Sequence, residues 1–127
     1  MKNKNWLRAF SCALTGLFYA AVHERNMRIH IIAAALAVFL GWQLNLSRPE
    51  YAILVLTIGM VFAAELINTA IEAVVDILAP EFHPLAKRAK DVAAGAVLVS
   101  SIIAVVVGLF LFAPRLSGQE GFQWMKK

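Results

Sequence analysis

The sequence has few charged residues, and they are unevenly placed. Aspartate, glutamate, lysine and arginine make up 16% of the 127 residues, compared with about 25% in an average soluble domain. Three long segments contain none of them: residues 29–47, 51–64 and 92–114. Because a surface helix of a soluble protein carries charged or polar groups on its exposed face, this pattern excludes an ordinary soluble globule. Hydrophobic residues form 61% of the chain, which excludes disorder.

Cysteine and the common nucleotide-binding motifs are also lacking. Cys12 is the single cysteine, so the chain forms no intrachain disulfide and no cysteine-based metal cluster. Neither the P-loop pattern nor the dinucleotide-binding glycine pattern occurs. The net charge is +4, but the basic residues flank apolar segments, which favours contact with lipid headgroups over contact with nucleic acid. The composition therefore predicts a single membrane-embedded unit covering residues 1–127.

The uncharged segments predict an all-α integral membrane protein with three transmembrane helices. Each segment approaches or exceeds the length that crosses a bilayer. Ser47 or its neighbour suits the cap of the second span, with Pro49 in its first turn. We expect a basic loop over residues 85–90, then Asp91 as the cap of the third span and Pro114 at its end. The predicted spans are residues 29–46, 51–75 and 92–113.

The N-terminal segment predicts an amphipathic surface helix over residues 6–22. Large apolar residues, including Trp6, Phe10 and Phe18, fall on one face of this helix, which suits a position in the plane of the membrane interface. A signal peptide is the alternative, because Lys2 and Lys4 precede the apolar stretch. The periodic spacing of the apolar residues and the lack of a clear small-residue cleavage pattern favour the surface helix.

Lysine and arginine counts predict the orientation in the membrane. The N-terminal segment carries five, the first turn one, the second loop three and the C-terminal tail three. Cytoplasmic loops are enriched in these residues. The counts therefore favour a multi-pass protein whose N-terminus and second loop lie in the cytoplasm.

The second predicted span carries an unusual acidic stripe. On a helix, its four polar residues fall within an arc of about 80°. A carboxylate inside the bilayer is costly unless it is protonated, paired or faces a wet cavity. Three acids on one face are too many for helix packing alone, since like charges repel, so the stripe indicates a functional site. The four residues are Glu65, Asn68, Glu72 and Asp76.

Further polar residues are predicted on the same side of the membrane. Carboxylates hold Mg²⁺ while substrate phosphates complete its shell, and lysine or arginine neutralises phosphate charge. A deeper carboxylate suits the removal of a proton from an alcohol. This set predicts a phosphoryl-transfer site at a membrane surface. The additional residues are Glu24, Arg28, Glu81, His83, Lys90 and Asp91.

A proton or cation translocator that uses the acidic stripe is an alternative of another class. Intramembrane carboxylates are typical of such pathways, but a pathway needs polar groups across the full depth of the bilayer. Here the acids stop in the inner third, which favours an enzyme. The histidines His23, His30 and His83 have no convincing metal-ligand spacing, and we interpret them as satisfied interfacial residues.

Two segments of the sequence carry a specific resemblance. Residues 64–76, Ala-Glu-Leu-Ile-Asn-Thr-Ala-Ile-Glu-Ala-Val-Val-Asp, and residues 88–91, Arg-Ala-Lys-Asp, resemble the signature of the small prokaryotic diacylglycerol kinase and undecaprenol kinase family. The stretches 24–30 and 81–83 resemble it too. The likeness covers about residues 8–112, nearly the whole chain.

The resemblance implies a lipid kinase in a bacterial inner or plasma membrane that uses ATP and Mg²⁺ and assembles as a homotrimer with shared sites. It implies that Glu65 is the general base, and that Glu24 and Glu72 hold Mg²⁺ and contact ATP. It also implies that six residues contact the nucleotide or support the acidic stripe. These are Asn68, Asp76, Glu81, His83, Lys90 and Asp91.

Two details of the resemblance concern the substrates. Members that use diacylglycerol often have a tyrosine near the position of Cys12, where it contacts the nucleotide, so that contact does not carry over. The stretch Glu-Arg-Asn-Met-Arg-Ile-His at 24–30 looks more like the undecaprenol kinase branch. The resemblance therefore favours undecaprenol as the lipid alcohol, with diacylglycerol as the alternative.

Overall fold

The computed structural model describes residues 2–118, with side chains from residue 5 onward. Met1 and residues 119–127 of the predicted single unit lie outside this range, as do Lys126 and Lys127 of the charge count. The described residues fold into four helices and contain no strand, which confirms the all-α prediction. The helices are α1 Lys2–His23, α2 Arg25–Gln43, α3 Arg48–Leu78 and α4 Pro84–Leu116.

Helices α3 and α4 form the main pair of the fold. They pack together along much of their length, whereas α2 touches α3 over a smaller area and α1 rests mainly on α2. A small apolar cluster of Leu46, Leu54 and Leu111 fixes the N-terminal end of α3 against α4. Most large apolar side chains elsewhere remain exposed on the single chain. Such a surface suits lipid or further protein rather than water.

The turn between α2 and α3 follows from local backbone chemistry. The Leu46 amide donates to the Gly41 carbonyl at 3.0 Å and the Asn45 amide donates to the Trp42 carbonyl at 3.3 Å. Asn45 has φ +54°, a left-handed conformation that asparagine tolerates, so the helix ends in a Schellman motif. A Cβ on Gly41 would lie 2.7 Å from Leu46 Cδ1. The predicted turn is confirmed, but α2 ends at Gln43, earlier than expected.

Helix α3 begins as the sequence predicts. Ser47 is its N-cap: the Glu50 amide donates to Ser47 Oγ at 3.4 Å, and the Ser47 amide donates to Glu50 Oε2 at 2.7 Å. This reciprocal pair is a capping box. Pro49 lies in the first turn, where its missing N–H costs nothing. The helix has 31 residues and is longer than the predicted span of 51–75.

The start and end of α4 differ from the prediction. Residues 85–90 are helical rather than a loop, and Asp91 lies inside the helix rather than at its cap. The cap is His83, whose Nδ1 accepts from the Leu85 amide at 3.2 Å, and Pro84 supplies a φ suited to the first helical turn. Pro114 does not end the helix, because the Ser117 amide still donates to the Ala113 carbonyl at 3.0 Å.

Two of the helices, α3 and α4, are long and apolar enough to cross a membrane. Helix α2, which contains most of the first predicted span, does not meet the same criterion. Its first turn holds Arg25 and Arg28, and its uncharged part, residues 29–43, is about 22 Å long at 1.5 Å per residue. That is shorter than a hydrocarbon core of about 30 Å. The first predicted span, residues 29–46, therefore stays a prediction.

The predicted amphipathic helix lies within α1, which begins at Lys2 and ends at His23. Its apolar side chains are unusually exposed: Trp6 is 80% exposed and Phe18 is 73% exposed. Cys12 is exposed as well. The helix is anchored near its end, where Ala20 is buried. The described structure confirms the helix, and its position at a membrane interface stays a prediction.

Candidate functional site

The four polar residues of α3 form a single face that grades from buried to exposed; we call it the acid face. It comprises Glu65, Asn68, Glu72 and Asp76. Glu65 is 1% exposed and Asn68 is 5% exposed. Glu72 is half-buried, and the Asp76 side chain is 66% exposed. The acid face therefore connects the interior of the fold with the end of α3, as a path for a polar substrate requires.

Glu65 is the most deeply buried member of the acid face. Its Oε2 has no hydrogen-bond partner within the described part of the chain. The nearest basic atom is His30 Nε2 at 3.9 Å, which is too far for a direct hydrogen bond. Glu24 and Glu72 lie close enough to interact electrostatically with it. A buried carboxylate without a donor is costly, so this oxygen is a candidate for contact with a substrate.

His30 lies beside the candidate site, which the sequence did not predict. We interpreted it as a satisfied interfacial histidine, but it lies on α2 opposite Glu65, with 19% of its side chain exposed. Its proximity depends on how α2 docks against α3, which the spacing of residues within one segment does not reveal. The available signal was its place in the 24–30 stretch, six residues after Glu24.

Asn68 links the middle of the acid face to Glu72. Its Nδ2 donates to Glu72 Oε1 at 3.0 Å, which fixes the orientation of that carboxylate. Asn68 Oδ1 and the neighbouring Thr69 Oγ1 are buried and have no hydrogen-bond partner among the described residues. Buried polar atoms are normally paired, so these two atoms and Glu65 Oε2, within two turns of α3, make this region a candidate binding surface.

The two carboxylates with a predicted metal role approach Glu65 from different helices. Glu24 precedes α2 as its N-cap residue but makes no capping hydrogen bond with its side chain. Glu72 lies on α3, where Asn68 orients it. In proteins, Mg²⁺ commonly takes one or two carboxylates and completes its shell with substrate phosphates and water. Residues 2–118 contain no group of three or more His, Cys, Asp or Glu placed to hold a metal, so the Mg²⁺ role of Glu24 and Glu72 stays a prediction.

Four of the predicted nucleotide-contacting residues meet where α3 ends and α4 begins. They line one open groove of about 260 Å³. The Lys90 ammonium donates to the Asp76 carboxylate across this groove. The residues that meet there are Asp76, Glu81, His83 and Lys90.

Asp91 is the predicted site residue that the structure does not bring into this groove. Its carboxylate accepts from Lys87 Nζ at 2.6 Å along the exposed surface of α4. Such exposed pairs contribute little to stability. Lys87 itself lines the groove, so Asp91 contacts the groove lining without being part of it.

An apolar cavity of about 220 Å³ lies between α2, α3 and α4. Small side chains on α2 and α4 leave the space open, and the Thr57 hydroxyl is occupied by a hydrogen bond to the Ile53 carbonyl at 2.8 Å. His30 lines this cavity and also faces Glu65. The cavity therefore reaches the buried end of the acid face. Its lining includes Ala34, Ala37, Thr57, Val61 and Gly108.

A buried ion pair at the N-terminal end of α3 is the second feature that the sequence analysis missed; we call it the Glu50–Arg115 pair. Glu50 is 2% exposed and accepts from Arg115 Nη1 at 2.9 Å and from Arg115 Nη2 at 2.7 Å. The bidentate geometry is the strong form of such a pair. The sequence contained a signal for this pair. Glu50 directly precedes the uncharged segment 51–64, and Arg115 directly follows the uncharged segment 92–114.

Taken together, these features define a small helical membrane protein whose acid face lies between an apolar cavity and a groove lined by both acidic and basic side chains. The sequence profile of the prokaryotic diacylglycerol kinase family matches residues 11–112. The chain belongs to this family. The resemblance in residues 64–76 and 88–91 is thereby confirmed.

Individual relatives support the same conclusion. The chain is similar to undecaprenol kinase of Bacillus subtilis, with 43% identity over 111 residues, covering 87% of this chain and 90% of that protein. It is 43% identical to a diacylglycerol kinase of Synechocystis over 113 residues, covering 88% of this chain and 65% of that protein. It is 34% identical to diacylglycerol kinase of Escherichia coli K12 over 105 residues, covering 83% of this chain and 86% of that protein.

The protein is therefore a membrane lipid kinase that takes its phosphoryl group from ATP. Its substrate is a lipid, which agrees with the exposed apolar surface of the chain. Membership of a kinase family favours the enzyme over the translocator. The individual roles of the acid face, the groove and the cavity follow as proposals.

Proposed function

We propose that the protein phosphorylates undecaprenol to undecaprenyl phosphate at the cytoplasmic face of the membrane, with ATP and Mg²⁺. The observation that carries this choice of lipid is the similarity to undecaprenol kinase of Bacillus subtilis, which extends over 90% of that protein. The 24–30 stretch, which includes Glu24 and His30, supports the same branch. Diacylglycerol is the second candidate, because the relatives from Synechocystis and Escherichia coli are named diacylglycerol kinases.

In this proposal, Glu65 is the general base. Its Oε2 is buried and has no hydrogen-bond donor in the part of the chain that the structure describes, so it is available to accept the proton of a lipid hydroxyl. The hydroxyl oxygen then bonds to the γ-phosphorus of ATP while the bond from that phosphorus to the β,γ-bridging oxygen breaks and ADP leaves. Phosphoryl transfer depends mainly on positioning and charge stabilisation, which a rigid, buried site supplies.

Glu24 and Glu72 are the residues that would hold Mg²⁺. When bound, the ion neutralises charge on the transferred phosphate. The contribution of the chain is to aim both carboxylates at the region beside Glu65, with Asn68 fixing Glu72 through its 3.0 Å hydrogen bond.

The groove between α3 and α4 would receive the rest of the nucleotide. Lys90 supplies a positive charge for phosphate, and Asp76 holds its ammonium group toward the groove. Glu81 and His83 line the same groove and offer hydrogen-bonding groups. Asp91 supports the site from the neighbouring face of α4, where Lys87 holds its carboxylate.

The lipid would enter from the membrane side. The apolar cavity accepts the hydrocarbon chain next to the hydroxyl, since its lining is almost entirely apolar and it ends at His30 and Glu65. Because the lipid comes from the bilayer, whose interior is as apolar as the cavity, the cavity acts mainly by positioning the chain. The acid face would thus hold the hydroxyl group of the lipid, and the cavity would hold the part of the chain next to it.

For the assembly, we propose three spans, a surface helix α1, a cytoplasmic N-terminus and a homotrimer with shared sites. The lysine and arginine counts support the orientation. The limited contact of α2 with α3 and the exposed apolar faces leave room for neighbouring subunits. Packing against neighbours would also help the short α2 to remain in the bilayer, because oligomerisation is one response to hydrophobic mismatch.

A phosphoryl-transfer assay tests the proposed function. Purified protein in detergent receives γ-labelled ATP, Mg²⁺ and either undecaprenol or dioleoylglycerol, and kcat/KM is measured for each lipid. A preference of tenfold or more for undecaprenol supports the proposal, whereas the reverse preference assigns the protein to diacylglycerol. Label in neither lipid would overturn the proposed function, and ion flux in proteoliposomes would then test the translocator.

A further inference from the structure

His30 is shared by two parts of the site that are otherwise separate. Its side chain lines the apolar cavity, and its Nε2 lies 3.9 Å from Glu65 Oε2. The other polar side chain in the cavity lining, Thr57, already donates its hydroxyl to the Ile53 carbonyl. His30 is therefore the side chain through which the cavity meets the buried carboxylate.

The 3.9 Å between His30 Nε2 and Glu65 Oε2 indicates what kind of group fits between them. It is too long for a hydrogen bond between them, and Glu65 Oε2 has no other partner in the described chain. An oxygen atom can lie about 2.8 Å from both atoms at once, which is the usual length of such a hydrogen bond. A carboxylate only accepts, whereas an imidazole N–H donates. A hydroxyl group, which both donates and accepts, satisfies the two groups together.

Resting on the proposed function, we propose that His30 and Glu65 together bind the acceptor hydroxyl of the lipid. Glu65 Oε2 accepts the hydroxyl hydrogen, and His30 Nε2–H donates to the hydroxyl oxygen. The chain attached to that hydroxyl extends into the apolar cavity, which His30 also lines. His30 thereby selects a lipid that ends in an alcohol and places its oxygen beside the base.

The chemical step leaves the proton of His30 in place. The hydroxyl proton moves to Glu65, the oxygen bonds to the γ-phosphorus, and ADP leaves with the electron pair of the broken bond. His30 keeps its N–H throughout and acts by fixing the oxygen. The other ionisable groups near Glu65 are Glu24 and Glu72, both of which only accept when ionised, so they do not replace the donor that His30 supplies.

Three variants separate hydroxyl binding from packing. His30→Leu removes the donor and keeps an apolar side chain, and His30→Gln keeps an N–H of similar reach. His23→Leu is the matched control, because His23 is exposed at the end of α1 and contacts the Tyr19 backbone rather than the site. Each variant is first compared with the wild type in thermal unfolding and gel filtration in detergent.

Two sets of measurements are then made on each variant. The first is the kcat/KM for undecaprenol at saturating ATP, together with the Kd of a nonhydrolysable ATP analogue with Mg²⁺. The second is nucleotide-free binding of farnesol, a short isoprenoid alcohol, and of farnesene, a hydrocarbon of the same chain length without the hydroxyl.

For His30→Leu we expect kcat/KM to fall about 10- to 100-fold, which corresponds to a lost hydrogen bond to a partner that becomes charged. The Kd of the ATP analogue should stay within about twofold of the wild-type value, since hydrogen bonds to the nucleotide are not removed. Farnesol should lose its advantage over farnesene. His30→Gln should recover most of both losses, and His23→Leu should match the wild type.

Other results would overturn the role of His30. One is an unchanged preference of His30→Leu for farnesol over farnesene. Another is an equal loss of kcat/KM in His30→Gln and His30→Leu. The third is a loss of kcat/KM that is matched by weaker binding of the ATP analogue or by a lower unfolding temperature. If the farnesol preference depends on His30 but neither lipid is phosphorylated, the hydroxyl site stands and the proposed function fails. The two failures are thus distinguishable.

Discussion

Helix α3 buries one glutamate in its first turn and another near its middle, and the two glutamates have opposite surroundings. Glu50 accepts two hydrogen bonds from Arg115 and one from the Ser47 amide. Glu65 is buried to a similar degree, but its Oε2 has no hydrogen-bond partner within residues 5–118. A buried charge with all its bonds made is a structural element, whereas one with a bond left open is a place for a ligand. Burial alone does not tell the two apart.

The difference extends to the neighbouring residues. Around Glu50, the apolar side chains of Leu54 and Leu111 close the structure. Around Glu65, the acid face leads toward solvent on one side, and the apolar cavity lined by His30 opens on the other. Helix α3 thus has a closed N-terminal end that packs against α4, and the open site begins near its middle at Glu65.

Removing the charge of Glu65 is the strongest test of this comparison. Glu65→Gln keeps the shape of the side chain but cannot take a proton, so we expect kcat to fall about 10²- to 10⁴-fold, the usual contribution of a general base. Binding of a nonhydrolysable ATP analogue should persist. Glu50→Gln, in the first turn of the same helix, is the matched control and should keep more than half of the activity of the folded enzyme. Near-normal turnover in Glu65→Gln would remove Glu65 from the role of base.

Breaking the Glu50–Arg115 pair should affect stability instead. Glu50→Ala leaves the half-buried guanidinium of Arg115 without its carboxylate, and we expect a loss of about 3–5 kcal/mol in the free energy of unfolding. Thermal or denaturant unfolding in detergent measures this effect. The double variant Glu50→Met with Arg115→Leu should restore much of the loss, because a well-packed apolar pair replaces both charges. If the double variant were as unstable as Glu50→Ala, the pair would have a further role.

Lys90 offers a test at the exposed end of the site. Its ion pair with Asp76 is solvent-accessible, so its removal should change stability by less than about 1 kcal/mol. Lys90→Met should raise the KM for ATP about tenfold, since one charge-assisted contact with phosphate is lost. Arg48→Gln removes one charge at the opposite end of α3 and should leave this KM unchanged. An equal effect of both variants would indicate general electrostatics rather than a contact in the groove.

The capping box gives the smallest expected effect. Ser47→Ala removes the side-chain acceptor for the Glu50 amide and should cost about 1 kcal/mol of stability. Ser47→Asp keeps an acceptor at the cap, so it should lose less. Activity per folded molecule should stay the same in both variants. A larger loss in Ser47→Ala would show that the cap also positions Glu50 for Arg115.

Much of the fold was predictable because its signals are local. The capping box at Ser47, the turn around Asn45 and the break before Pro84 are written in short stretches of sequence. The start of α4 was not predicted correctly, because a basic segment was interpreted as a loop. The Lys87–Asp91 pair shows the i,i+4 spacing of a helix, and this spacing was available as a signal.

In the candidate site, too, some residues were predictable from local sequence and others were not. Glu65, Asn68, Glu72 and Asp76 share one helix, so their common face follows from the period of the helix. His30 and Arg115 belong to other helices, and their partners depend on how α2 and α4 dock against α3. That docking is set by side-chain packing over the whole interface, which no short sequence pattern records.

The sequence by itself determined the helical membrane class, the acid face and the kinase family, because composition, helical periodicity and the 64–76 motif are properties of contiguous residues. Only the tertiary structure decided which glutamate of α3 is satisfied and which is open. Arg115 reaches Glu50 across 65 residues of sequence, whereas His30 stops 3.9 Å from Glu65. The physical reason is that a hydrogen bond depends on distances of a few tenths of an ångström, and only the packed helices set those distances.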